Sequence, residues 1–169
     1  MTGTGALIAS SSDDFVLSAH EVEEIRHEIT HYEDPRAAGI EALKIVQRSR
    51  GWVPDAAVAA IARELGIGAA EVEGVATFYN MIFRRPVGRH VIKVCDSISC
   101  FLTGYEELRA EISRQTGLGW GETTSDQRFT LLPVCCLGNC DKGPSIMIDE
   151  DTYGPVAPGE VAGLLERYA

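Results

Sequence analysis

At 169 residues and a formal charge of −10, the chain has room for one ordinary domain, or for a small domain with a helical extension. It is too acidic to hold nucleic acid or an anionic lipid surface without a basic patch, and the sequence shows none. Hydrophobic residues make up 45% and charged residues 24%, a globular balance that can bury a core without disulfides, and no apolar run nears the ~20 residues of a membrane span.

Residues 1–17 carry no positive n-region and only a very short apolar stretch at 6–9. They read as a mobile polar tail and not as a signal peptide. The chain is therefore expected in the cytosol, without direct membrane insertion. Thiols there stay reduced, so five cysteines point to metal or catalysis before disulfides.

Residues 18–86 read as a helical bundle. Ser18 with Glu21 fits a capping box ahead of Val22, Ile25, Ile29 and Tyr32 at helical spacing. Asp34 and Pro35 pair an N-cap with a proline at the first helical position. The segment carrying Ile40, Leu43, Ile45 and Val46 runs to about Arg48, and Gly51 breaks it. A third helix follows Pro54 and Asp55, bears Val58, Ile61 and Leu65, and takes Gly66 as its C-cap. A fourth, or a pair of short ones, is expected over residues 69–83. It ends in Phe78, Tyr79, Met81, Ile82 and Phe83, a dense apolar group. The simpler reading of that group is core, and the functional one is docking to a partner.

Residues 27–31 match H-E-x-x-H, a pattern that on a helix can bind zinc and supply a general base. At 100° per residue, His27 and His31 fall opposite the apolar face. No third ligand follows at protease spacing, so a protease is not expected and the pair reads as two surface histidines.

Pro86, Val87 and Gly88 mark a boundary. Over residues 87–169 strand and helix alternate. Strands are expected at 90–94, 128–134 and 145–148, with a short partner at 152–156 joined by a turn at 149–151. An amphipathic helix is expected at 103–115, with Tyr105, Leu108 and Ile112 on one face, and a closing helix at 158–168. The order β-α-β-β-α is that of a minimal α+β sheet domain.

The cysteines form two groups, Cys95 with Cys100 and Cys135–Cys136 with Cys140. Each follows an expected strand, so each begins where a sheet ends and a loop starts. Two such loops at one end of a sheet bring four thiolates together, the usual ligand set of a [2Fe–2S] cluster. Gly104, Gly138 and Gly143 give the loops backbone freedom. The spacing also suits a structural zinc site. A dithiol of the C-x-x-C type is absent. Cys135 and Cys136 would point to opposite faces of a continued strand, and spacing alone does not choose between them.

The stretches CDSISCFLTGYEEL and CCLGNCDKGPSIMIDED resemble the thioredoxin-like [2Fe–2S] subunit of bacterial respiratory NADH dehydrogenase (complex I), of proteobacterial type. HYEDPRAAGIEALKIVQRSRGWVPD and EVEGVATFYNMIF extend the likeness into the helical half, so that it runs from about Phe15 to the C-terminus. The family pattern, C-x₄-C followed by C-L-G-x-C, implies Cys95, Cys100, Cys136 and Cys140 as cluster ligands and leaves Cys135 as a neighbour. Many members carry another residue at that neighbouring position.

The resemblance implies an α+β fold, an N-terminal α-helical bundle followed by a thioredoxin-like [2Fe–2S] ferredoxin domain. It also implies an electron-transfer subunit of NADH:quinone oxidoreductase that exchanges single electrons with FMN, without a complete active site of its own. Expected partners are the FMN- and NADH-binding subunit and other subunits of the peripheral arm, on the cytoplasmic side of the inner membrane. The chain has no nucleotide fingerprint: Ile8 stands where Gly3 and Gly5 would need a third glycine, and Glu122 where Gly117 and Gly119 would. FMN and NAD therefore belong to the partner. An equivalent subunit of an NAD-linked hydrogenase or formate dehydrogenase, and a zinc-stapled interaction module, are the alternative readings.

Overall fold

The computed structural model describes residues 15–168, so the tail expected over residues 1–17 lies almost entirely outside the described residues. The chain divides into two compact units, Met1–Pro86 and Val87–Ala169, each with its own buried core.

The first unit packs four helices, α1 (Ala19–Ile29), α2 (Gly39–Arg50), α3 (Asp55–Leu65) and α4 (Ala69–Phe78). Local chemistry sets most of their ends. The Ser18 hydroxyl accepts the Glu21 N–H at 3.1 Å, and the Glu21 carboxylate accepts the Ser18 N–H at 2.7 Å, a reciprocal cap worth about 1 kcal/mol. Asp34 caps a 3₁₀ turn, Pro35–Ala38, that runs into α2. Gly51 and Gly66 close α2 and α3 in the left-handed conformation. Ile25, Leu43, Val46 and Ile61 are fully buried between the helices, each contributing roughly 1.5–3 kcal/mol.

Three features of this unit depart from the expectation. Glu21 is more than a cap. It is 1% exposed and takes two bonds from the Arg50 guanidinium, at 2.7 and 2.6 Å. α1 stops at Ile29, and Tyr32 lies beyond it with its hydroxyl on Glu28. The residue before Pro35 disfavours helix, so the chain must open ahead of it. α4 stops at Phe78 instead of reaching residue 83. Tyr79 turns extended, the Gln47 side chain bonds both the Met81 carbonyl and the Phe83 N–H, and Arg84 reaches Asp55 and Glu73. Of the apolar group there, Ile82 is buried, while Phe78 is 80% exposed and Tyr79 and Met81 are also exposed. Most of it is surface, against the core reading.

The second unit is a four-stranded mixed sheet in the order β2-β1-β3-β4, formed by β1 (His90–Cys95), β2 (Phe129–Val134), β3 (Ile146–Ile148) and β4 (Asp151–Tyr153). β1 and β2 run parallel, from His90 against Phe129 to Cys95 against Val134, and β3 is antiparallel to both β1 and β4. Pro133 is tolerated because β2 is the edge strand. Between β1 and β2 lie α5 (Ile98–Leu102) and α6 (Tyr105–Thr116), and α7 (Val161–Glu166) closes the unit. Ile92, Val94, Leu131 and Ile148 bury against Leu108, Ile112 and Leu164. The Arg128 guanidinium satisfies the carbonyls of Leu165 and Tyr168 at the end of α7.

Candidate metal centre

Parallel pairing of β1 and β2 decides where the cysteines go. Both strands end at one edge of the sheet, so Cys95, the last residue of β1, and Cys135–Cys136, just beyond Val134, emerge together. β3 begins at the same edge, since Val94 pairs with Ile146. The connection from β2 to β3, which carries Cys140, therefore folds back over the ends of both strands. Two backbone bonds tie this end together, from the Cys95 N–H to the Ser145 carbonyl at 3.1 Å and from the Asp96 N–H to the Val134 carbonyl at 3.0 Å.

All five thiols are free. Cys95 and Cys100 are buried with Val134, and Leu137 packs on them, whereas Cys136 and Cys140 are exposed. The Cys136 and Cys140 sulfurs stand 3.7 Å apart, and the Gly138 N–H points at the Cys136 sulfur at 3.3 Å. The thiols also influence one another. Burial pushes Cys95 up, but the N–H and hydroxyl of Ser97, the Leu137 N–H and the Cys100 thiol hold it below its ordinary value. Cys100 is raised, by burial first and then by Cys95. Cys140 is raised chiefly by Cys136, with burial and the more distant Cys95 adding to it. Cys95, Cys100, Cys136 and Cys140 thus form one neighbourhood. Cys135 is exposed and joins none of these contacts. β2 stops at Val134, so strand alternation has no bearing on residues 135 and 136.

The second cysteine loop is held by residues that the sequence pattern did not single out. The buried Ser145 hydroxyl donates to the Lys142 carbonyl at 2.8 Å and accepts from the Asn139 side chain at 3.2 Å. Gly154 packs so closely that a Cβ there would collide with the Lys142 carbonyl and stand 2.6 Å from the Ser145 hydroxyl. Gly143, one of the expected hinge glycines, has an ordinary φ of −73°. Its missing Cβ is needed for space instead, since one would sit 2.6 Å from the Thr103 hydroxyl and 3.5 Å from the Cys100 sulfur.

The segment after Cys95 is not an open loop. It forms the short helix α5, with Ser97 as N-cap, and presents Ile98 (71%), Phe101 (51%) and Leu102 (76%) to the surface beside Cys100. Asp96 and Ser97, both cap-type residues, are the signal that could have revealed it. Phe101, Leu102, Pro144 and Pro155 also line a groove of about 870 Å³, together with Glu106 and Glu107.

The thioredoxin-like [2Fe–2S] ferredoxin family matches the chain over residues 25–169. An NADH-quinone oxidoreductase subunit of Pseudomonas aeruginosa is 64% identical over 157 residues, which span 93% of this chain and 95% of that protein. The corresponding NADH-quinone oxidoreductase subunit of Escherichia coli K12 is 61% identical over the same shares. Among solved structures, an NAD+-reducing [NiFe]-hydrogenase in the air-oxidized state superposes with a TM-score of 0.62 at 21% identity, over 75% of this chain and 22% of that one, a likeness of fold alone.

Proposed function

The chain belongs to the thioredoxin-like [2Fe–2S] ferredoxin family, and from that premise we propose that it is the [2Fe–2S] electron-transfer subunit of an NADH:quinone oxidoreductase. The observation that carries this is the meeting of four thiols at one edge of the sheet. All the converging donors are sulfur, and the 3.7 Å between Cys136 and Cys140 matches the roughly 3.8 Å between two thiolates on one tetrahedral metal with bonds of about 2.3 Å. The donor set fits the cluster, with Cys95, Cys100, Cys136 and Cys140 as the proposed ligands.

Once bound, the cluster supplies one-electron acceptance and donation. The chain's residues shape that chemistry. Val134 and Leu137 keep water from the buried sulfurs of Cys95 and Cys100. The N–H groups of Gly138 and Leu137 are directed at the sulfurs of Cys136 and Cys95, which offsets thiolate charge. Cys136 and Cys140 stand at the surface, on the side that a redox partner can approach. Residues 18–86 are proposed as the helical docking element, and residues 87–169 as the cluster domain.

The proposed partner is an FMN- and NADH-binding subunit of the same complex. The chain's lack of a nucleotide fingerprint and the apolar surface of α5 beside Cys100 support that choice. The groove, lined by apolar side chains and by Glu106 and Glu107, suits a partner segment that is apolar and basic. No described helix is long and apolar enough to cross a membrane, and association with the cytoplasmic face of the inner membrane is proposed to come through the complex.

Zinc is the competing reading, because the thiolate spacing also admits it. The chain should be purified without oxygen and reduced with dithionite. Two irons and two sulfides per chain, visible absorption, and a spin-one-half signal on reduction are expected. A colourless protein with tightly held zinc would leave a structural module in place of an electron carrier.

A further inference from the structure

We propose that the C-terminal turn of α1 binds one divalent transition-metal ion of the zinc class through His27, Glu28 and His31, separately from the cysteine site. The three side chains place their ligand atoms within 4.8 Å of one another. His31 Nδ1 and Glu28 Oε2 are 3.5 Å apart, close to the roughly 3.3 Å between donors on a tetrahedral zinc with bonds of about 2.0–2.1 Å. The two imidazole rings sit 4.8 Å apart and nearly perpendicular, and the exposed His27 has room to turn towards the other two ligands.

The surroundings favour a cation. α1 ends at Ile29, so the site lies over the negative end of the helix dipole. The Tyr32 hydroxyl donates to Glu28 Oε1 at 3.2 Å and steadies that carboxylate with its other oxygen towards His31. Two imidazoles and one carboxylate select zinc, nickel, copper or cobalt over magnesium or calcium. Glu28 lies among the ligands here, whereas the H-E-x-x-H proteases keep it free as a base, so the site binds metal without hydrolytic chemistry. Binding joins the last turn of α1 to the residues just beyond it.

The test uses the full chain, purified anaerobically with its cluster, and zinc chloride alone as the probe in equilibrium dialysis. One zinc per chain beyond the iron content is expected. His27→Ala and His31→Ala should each weaken binding on the order of tenfold or more, and Cys135→Ser should leave it unchanged. Zinc retention that both histidine substitutions leave intact, or no retention by the unsubstituted chain, overturns the proposal. X-ray absorption at the zinc edge of the unsubstituted chain decides independently of any variant. A nitrogen and oxygen shell at about 2.0–2.1 Å supports the site, and a sulfur shell at about 2.3 Å overturns it.

Discussion

Cys135 and Cys136 are adjacent and both exposed, yet only the Cys136 sulfur faces Cys140. Cys136→Ser is therefore expected to lose or alter the cluster's spin-resonance signal and lower the iron content, while Cys135→Ser keeps two irons per chain. Iron analysis beside the spectrum of each variant decides it, and equal loss in both would return the ambiguity. A second residue-scale effect lies in the pair of Glu21 and Arg50. The guanidinium hydrogen bonds, above all, lower the Glu21 pKa from 4.5 to about 2. A depressed carboxylate stabilises the fold fully above its unfolded value, and the contribution drains as pH falls from about 4.5 towards 2. It is worth roughly 2–3 kcal/mol, allowing for the partial exposure of Arg50. Arg50→Ala strands a buried carboxylate and should destabilise the helical unit by about 3 kcal/mol at neutral pH. Denaturant unfolding followed by far-UV circular dichroism at pH 7 and pH 3 checks both. The gap between variant and parent should narrow at the lower pH.

At the scale of elements, the connection from β2 to β3 is wedged between Gly154 and the end of the sheet. Gly154→Ala must displace the Lys142 carbonyl or the Ser145 hydroxyl, and Cys140 sits in that same loop. Iron content should drop, or bleaching in air should quicken, while the helical content holds. Normal cluster stability in this variant would mean that the loop moves freely. α5 invites a complementary test. Leu102→Asp places a charge on a surface that is already exposed, so folding and the cluster spectrum should persist. Affinity for the flavin-binding subunit should fall on the order of tenfold or more if this surface is buried in the complex. Unchanged co-purification would move the docking surface elsewhere, and the exposed Phe78 and Met81 at and beyond the end of α4 would be the next place to look.

At the scale of the molecule, the charge of −10 acts on any approach to a partner. Surface charges are screened beyond roughly 10 Å at 0.1 M salt. Association with a subunit that offers basic residues should therefore slow as salt is raised from low to high ionic strength, with the effect concentrated in the on-rate. Stopped-flow mixing of the two subunits at several salt concentrations measures it. A rate indifferent to salt would show that the acidic surface plays no part in recognition.

The sequence by itself determined what short-range chemistry controls. The Ser18–Glu21 cap, the Asp34–Pro35 start and the glycines at 51 and 66 each act over a few residues, and they could be read without knowing what lies nearby in space. The alternating texture after Pro86 and the two cysteine groups were legible in the same way. The tertiary structure alone decided the rest. Residues 79–83 look helical by pattern, but Gln47, more than thirty residues earlier, holds them open. Glu21 looks like a surface cap until Arg50 closes over it. Above all, which sulfurs meet depends on the parallel register of β1 with β2 and on the return of β3 to the same edge. These are pairings between distant segments, whose partners no local spacing names, because a backbone hydrogen bond between strands is satisfied equally well by many sequences.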